Sequence, residues 1–441
     1  MKKTRMLETV LVLTTMSISC WAQGNASLTD ENAELRSRVE TLEKQVQGLA
    51  AATGDSDRPS TQETAKKSLW SSLDVQFYGY IKADAAYDTS RVTPGNYIVW
   101  VDNEATNDND NEFNLTANQT RLGLKINGPK SNGLETSGRV EFDFYGNYAD
   151  ENKPKIQMRH AYLQVLWPES RFSILAGQTS DVISPLNPST LNYTVLWDGG
   201  NIGYRRPQIR LTKELTVSPP QTTLNLQGAI TRTIGRAVIG AGAPSESGED
   251  AGFPTLQGRA GLSFPWLEAG PTTVGVSAHW GQEEYDITAA GASRDFDSWS
   301  VNLDVQQPIC KQMTVKAELF AGENLGTYLG GIGQSVRAVK NAGGVTTGYD
   351  KEIGSQGGWC AATLGPWGQL TCNVGAGIDD VDSDDVNTGD RTLNRAVFAN
   401  AIYALNKHAD VGFELSHWRT DYKGPGDADD VRLQASLTYK F

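Results

Sequence analysis

Asp74-Val75-Gln76-Phe77-Tyr78-Gly79-Tyr80-Ile81-Lys82-Ala83-Asp84-Ala85-Ala86-Tyr87-Asp88 is the stretch that decides the fold. Val75, Phe77, Gly79, Ile81, Ala83, Ala85 and Tyr87 take one side, and Asp74, Gln76, Tyr78, Tyr80, Lys82, Asp84 and Asp88 take the other. Side chains of a strand point to alternate faces, so this segment reads as a strand with one apolar and one polar face. A strand of a transmembrane β-barrel has this pattern, apolar toward lipid and polar toward the lumen. The chain ends the same way. Val431, Leu433, Ala435, Leu437, Tyr439 and Phe441 alternate with Arg432, Gln434, Ser436, Thr438 and Lys440.

Working inward from these two, further strands are expected to begin near Gln119, Leu134, Ile156, Phe172, Gly203, Thr223, Leu256, Thr272, Phe296, Met313, Gly357, Gln369, Arg395 and Lys407, which makes sixteen. Short connections (128–133, 168–171, 265–271, 307–311, 365–368, 405–407) alternate with long ones (91–117, 147–155, 179–202, 236–254, 323–350, 379–391). A barrel inserted from one side does this, with short turns at one end and long loops at the other. Residues 70–441 then allow about 23 residues per strand and connection, enough for a tilted spanning strand. A secreted sandwich or solenoid shares the alternation and the Gly-rich turns. It gives no reason for alternating loop lengths, for aromatics near strand ends (Phe77, Tyr78, Tyr87, Phe142, Phe144, Tyr162, Trp167), or for a terminal apolar strand ending in Phe441. The fold class is therefore all-β: a 16-stranded transmembrane antiparallel β-barrel over 70–441.

Composition is consistent once this is seen. The 441 residues carry a net charge of −13, are 39% hydrophobic and have a mean hydropathy of −0.41. No run of about 18 apolar residues exists, which excludes a helical membrane protein. Four cysteines are too few for a disulfide scaffold, and a pI near 4.9 argues against a nucleic-acid binder. A barrel places its apolar residues at every second position, so a water-filled one looks hydrophilic on average.

The N-terminus is organised differently. Residues 1–22 read as a secretory signal peptide: Lys2, Lys3 and Arg5, an apolar stretch to Ile18, and a small-residue site at Ala22. Acylation of Cys20 is the alternative, but Ser17-Ile18-Ser19 lacks the usual Leu. Over 23–52, Leu28, Leu35, Leu42 and Leu49 recur every seven residues, interleaved with Asn32, Val39 and Val46. This is a heptad pattern, and Glu31/Arg36 and Arg38/Glu43 provide attractive flanking pairs for a parallel coiled coil. Val and Asn at a with Leu at d favour two strands, whereas Arg38-Val39-Glu40-Thr41-Leu42-Glu43 resembles a trimer motif. Residues 53–69, with Gly54, Asp57 and Pro59, read as a linker.

Taken together, these features resemble the DcaP-like trimeric outer-membrane porins. The resemblance spans the mature chain. Its local carriers are Arg159-His160-Ala161-Tyr162, Gly177-Gln178-Thr179 and, most specifically, Gly203-Tyr204-Arg205-Arg206-Pro207-Gln208-Ile209-Arg210. It implies a 16-stranded homotrimer in the bacterial outer membrane that passes small anions, notably dicarboxylates, with its coil in the periplasm. It also resolves the coil toward three strands. Outer-membrane lipid and lipopolysaccharide would surround it. No cofactor, metal site or enzymatic chemistry is expected: His160, His279, His408 and His417 are scattered, and no nucleophile or carboxylate pair stands out.

A porin selects by width and by charges at its constriction. The inward faces carry Lys82, Arg121, Lys125, Arg139, Arg159, Arg206, Gln208, Arg210, Arg259 and Arg432, against Asp74, Asp84, Glu135, Glu141 and Asp143. Arg suits a carboxylate because its planar fork meets both oxygens. Pairing with the lumen acids, which would only stiffen the wall, is the competing role. The third long loop, 179–202, is expected to fold inward and narrow the pore, with Ser184, Asn187, Ser189 and Thr190 as its polar constriction residues and Pro185 and Pro188 stiffening it. The eyelet is then expected between this loop and Arg121, Arg159, Arg206 and Arg210. Acidic runs at 102–112 and 379–385 read as solvated rim loops. Cys360 and Cys372 read as near-opposite across the 365–368 turn, which allows a disulfide. Two other functions compete: a sugar-type porin, since Tyr78, Tyr80 and Tyr145 also point inward, and a structural or adhesive protein acting through its coil.

Overall fold

The structure is a computed structural model that describes residues 38, 41, 73–107, 110–146, 154–218, 221–234, 248–286 and 293–441. The chain divides into two units, Met1–Lys67 and Ser68–Phe441. In the first, Arg38 and Thr41 are helical and exposed. The rest of the expected signal peptide, coiled coil and linker lies outside the described residues.

The second unit is a closed antiparallel barrel. Its strands are β1 (Asp74–Asp88), β2 in two segments (Glu112–Thr116 and Arg121–Asn127), β3 (Glu135–Asp143), β4 (Gln157–Trp167), β5 (Phe172–Ser180), β6 (Arg205–Ser218), β7 (Thr222–Thr231), β8 (Thr255–Leu267), β9 (Gly270–Asp286), β10 (Ser293–Cys310), β11 (Met313–Glu323), β12 (Gly354–Trp367), β13 (Leu370–Val381), β14 (Arg391–Ala404), β15 (Ala409–Tyr422) and β16 (Ala428–Lys440). Each pairs with its chain neighbours, and β16 returns to β1 from Tyr80↔Lys440 to Asp88↔Arg432. Closure leaves no edge strand. The terminal Phe441 completes this seam. It exchanges two backbone hydrogen bonds with Gly79, each 3.1 Å, and its ring stacks on Phe77 at 5.2 Å. All sixteen expected strands are present.

Alternation sorts the walls as the sequence requires. On β1, Ile81 and Tyr87 face outward and are exposed, while Lys82, Asp84 and Asp88 are buried inside. Phe77, Trp266, Trp367, Tyr403 and Tyr439 ring the short-turn end, all exposed. An interfacial aromatic belt looks like this. At the other end Trp280 pairs with Trp299 across β9 and β10.

The long connections are not all simple loops. Val92–Pro94 pairs with Ile98–Val101, and Val336–Lys340 with Thr346–Glu352, as hairpins within the β1–β2 and β11–β12 connections. The 379–385 run is a correction to the solvated-loop reading. Asp379 and Asp385 are buried; Asp385 pairs with Lys351 and accepts from the Gly354 amide at 3.1 Å. The cysteines are a second correction. The hairpin register places Cys360 opposite Ala376 and Cys372 opposite Leu364, four residues out of step, and both thiols are free.

Candidate functional site

The segment 181–204 crosses the lumen. Its sequence explains how it is held: a chain inside a barrel needs partners for its backbone, and inward polar residues supply them. The Leu186 amide donates to Glu318 at 2.8 Å, the Leu191 amide to Glu414 at 2.6 Å, and Lys82 Nζ donates to the Leu191 carbonyl at 2.8 Å. Asn400 Nδ2 reaches the Ser189 carbonyl at 2.7 Å. These anchors come from β11, β15, β1 and β14, so the loop spans the barrel. Leu186 and Leu196 pack on Trp359, Phe398 and Trp418, together with Val92, Ile98 and Val101 of the first loop. Gly199 and Gly200 lie directly against the wall. A Cβ on Gly377 would meet the Gly199 carbonyl at 2.2 Å, and one on Gly200, whose φ is +117°, would meet the Gly358 carbonyl at 2.2 Å.

The inner faces of β12–β15 are thus covered by loop. Open space remains toward β1–β6. There a polar cavity of about 310 Å³ is lined by Arg121, Arg159, Arg205, Ser184, Asn187 and Tyr193, among others. A second, of about 450 Å³, lies toward the long loops and is lined by Tyr97, Trp100 and Tyr145. The two share Tyr193, Trp197 and Tyr204. Tyr145 and Tyr193 have ring centroids 4.2 Å apart, and Tyr97 lies 5.3 Å from Tyr193.

Behind the cavity wall, Arg121 and Arg159 meet at the buried Glu141. It accepts from Arg159 Nε at 2.9 Å and from Tyr78 at 2.8 Å, pairs with Arg139, and has Arg121 Nε at 3.6 Å. Arg159 also donates to Asp143 at 2.7 Å and to the Tyr193 hydroxyl at 3.2 Å. Among the described residues Arg205 has no carboxylate partner. It is 6% exposed, its guanidinium stacks on Tyr204 at 4.7 Å and Trp197 at 5.5 Å, and its buried Nε and Nη2 have no hydrogen-bond partner among the described residues. A buried cation that lines a cavity without a carboxylate partner favours an anion there.

Of the path residues expected from the sequence, Arg121 and Arg159 share this cavity with Ser184 and Asn187. Arg139 and Lys125 sit beside the Tyr78 ring, at 5.4 and 5.0 Å. Gln208 and Arg210 hold the β5 end: Gln208 Nε2 donates to the Thr179 carbonyl at 3.1 Å, and Arg210 donates to the Ser180 carbonyl and to Gln208. Arg259 forms a two-pronged pair with Asp304 at 2.6 and 3.0 Å. Ser189 and Thr190 belong to the loop tip, Thr190 donating to the Asn192 carbonyl at 2.8 Å.

Arg206 is a correction to the expected eyelet. It is 1% exposed, pairs with Asp181 at 2.8 Å, donates to the Thr327 carbonyl and lies 3.7 Å from the Tyr328 ring centroid. It ties the loop base to the β11–β12 connection. Its neighbour Arg205 takes the cavity position, along with Tyr193, Trp197 and Tyr204, none of which the sequence reading named as a site residue. Among the described residues no group of His, Cys, Asp or Glu could hold a metal.

Residues 22–217 match the family described as DcaP outer membrane protein. No curated protein matches the chain. Among solved structures, the outer membrane channel DcaP of Acinetobacter baumannii is 21% identical, covers 84% of this chain and 97% of its own, and has a TM-score of 0.66. An anion-selective porin from Comamonas acidovorans is 13% identical, with coverages of 84% and 100% and a TM-score of 0.52. Salmonella typhi OmpF is 11% identical, with 84% and 98% and a TM-score of 0.51. The barrel thus has the porin fold. Fold and family match together support an outer-membrane channel, a class without enzymatic activity.

Proposed function

We propose that the chain is an outer-membrane diffusion porin for small anionic solutes, dicarboxylates among them, acting as a homotrimer with its coil in the periplasm. The observation that carries anion preference is Arg205, a buried guanidinium with two unpartnered nitrogens on the same cavity as Arg121 and Arg159. Arg121 Nε is also without a hydrogen bond. Arg121 on β2 and Arg205 on β6 line the same cavity from different strands, so two guanidinium groups can act on one anion there. Around Glu141 and Asp143 stand three arginines, leaving a net positive passage even with every ion pair made.

The clustered Tyr97, Tyr145 and Tyr193 favour a second reading, uptake of neutral sugars along an aromatic surface. Reversal potentials in planar bilayers test the first: anion preference is expected, and cation preference overturns it. Liposome swelling separates the two, with succinate expected to enter faster than maltose relative to size.

A further inference from the structure

The outer wall of β11–β15 carries a trough that the channel does not use. Gly358, Cys360 and Ala376 form its floor, Leu319 and Val397 flank it, and Arg395 stands at one end, enclosing about 740 Å³. The register explains the shape. Leu319 pairs with Gly358, Cys360 with Ala376, and Ala376 with Val397, so small side chains lie side by side between larger ones. Elsewhere the wall is filled by exposed aliphatics such as Ile209, Leu226, Val276 and Val301.

Arg395 is out of place on this wall. It is exposed, and no hydrogen bond or ion pair engages it among the described residues. Its cross-strand partner is Arg419, which is already held by Asp421 at 2.7 Å. Facing cations destabilise a sheet unless an anion sits between or above them. Eight residues separate Arg395 from the belt residue Tyr403, about 20 Å of height at the usual strand rise and tilt. The apolar band of such barrels is about 25 Å tall, so Arg395 lies just inside the edge nearer the long loops. An arginine there needs an anion at headgroup height.

We propose that this trough binds a phosphorylated glycolipid of the outer leaflet, lipid A, with an acyl chain along Gly358, Cys360 and Ala376 and a phosphate on Arg395. The proposal rests on the outer-membrane reading above. A phosphate is already at this height in that leaflet, whereas a second copy of the chain would have to bring a carboxylate onto an apolar wall. The site is small-floored where a chain must lie and cationic where a headgroup must sit.

Cys360 on the trough floor is an exposed native reporter, and Cys310, exposed at the short-turn end of β10, is its control. The full chain is folded in neutral detergent, and maleimide modification of each cysteine is timed by peptide mass spectrometry. Lipid A is expected to slow Cys360 and leave Cys310 unchanged. Arg395→Ala, or lipid A stripped of its phosphates, should weaken that protection about fivefold, as for loss of one surface cation. Equal protection by the stripped lipid, or undiminished protection in Arg395→Ala, overturns the phosphate site. So does Cys360 being shielded before any lipid is added, in a particle of more than one chain, because a second copy then covers the wall. Conductance of the same preparation is recorded in parallel. A conducting barrel without phosphate-dependent protection refutes the lipid site alone; a preparation without conductance refutes the channel.

Discussion

Arg205 and Arg206 are chain neighbours in opposite electrostatic situations. Arg206 is neutralised by Asp181 inside packed protein, while Arg205 lines the cavity with no carboxylate partner among the described residues. Their substitutions should therefore separate. Arg205→Ala is expected to lower the anion-to-cation permeability ratio in bilayers with little change in heat stability. Arg206→Ala should leave Asp181 buried without its charge partner, a cost of about 3 kcal/mol, and lower the unfolding temperature. The reverse pattern would return Arg206 to the path. Glu141 gives a second residue-scale prediction. Glu141→Gln removes the carboxylate that three arginines share, so reversal potentials should shift further toward anions. That basic groups converge from the early strands was legible from alternation. The choice between Arg205 and Arg206 was not, because period-2 logic holds inside a strand, and Arg205 is the first residue of β6, two after Gly203 at φ +103°.

The strands and the constriction loop were legible for different reasons. Each strand announces itself locally, since its two faces meet different media. The loop carries no such periodicity. Its inward course was expected from the family resemblance and from Pro185 and Pro188, but its landing place was not visible. Trp359, Phe398 and Trp418 face a lumen that strand patterning expects to be polar, and they make sense only once Leu186 and Leu196 cover them. These are contacts between residues far apart in sequence, which no single-strand pattern contains. The hairpin pairing Val336–Lys340 with Thr346–Glu352 was missed likewise, being too short to stand out within a long connection. The anchoring pattern predicts how the element fails. Glu414 accepts from the Leu191 and Asn192 amides and from Asn400. Glu414→Ala leaves those donors without an acceptor, each orphan costing about 1–3 kcal/mol where water cannot replace it. The loop tip should loosen, and single-channel recordings should show larger and noisier conductance. An unchanged, quiet conductance would mean that Lys82 and Asn400 hold the tip alone.

At the scale of the whole molecule, the charge of −13 has to be reconciled with an anion path. Residues 1–67 contain nine acids and nine bases, so this N-terminal stretch as a whole contributes nothing to it. The remaining 43 acids and 30 bases all belong to residues 68–441. What matters is how they are distributed. On the loop-covered side, Glu318 and Glu414 accept from loop backbone and are sealed from the cavity side by the chain they hold. At the long-loop end, Asp350 is paired with Arg337, Asp385 with Lys351 and Asp421 with Arg419. On the open side, Arg121, Arg159 and Arg205 face the cavity with Glu141 and Asp143 oversubscribed. Net charge sets the far field, whereas selectivity follows the charges a permeating ion passes within a few ångströms. Salt distinguishes the two. The screening length falls from about 10 Å at 0.1 M to about 3 Å at 1 M. If the far field governed, diluting the salt would draw the pore toward cations. With the arginine-lined cavity governing, the anion-to-cation permeability ratio should rise on dilution from 1 M to 0.1 M KCl, and that rise should shrink in Arg205→Ala.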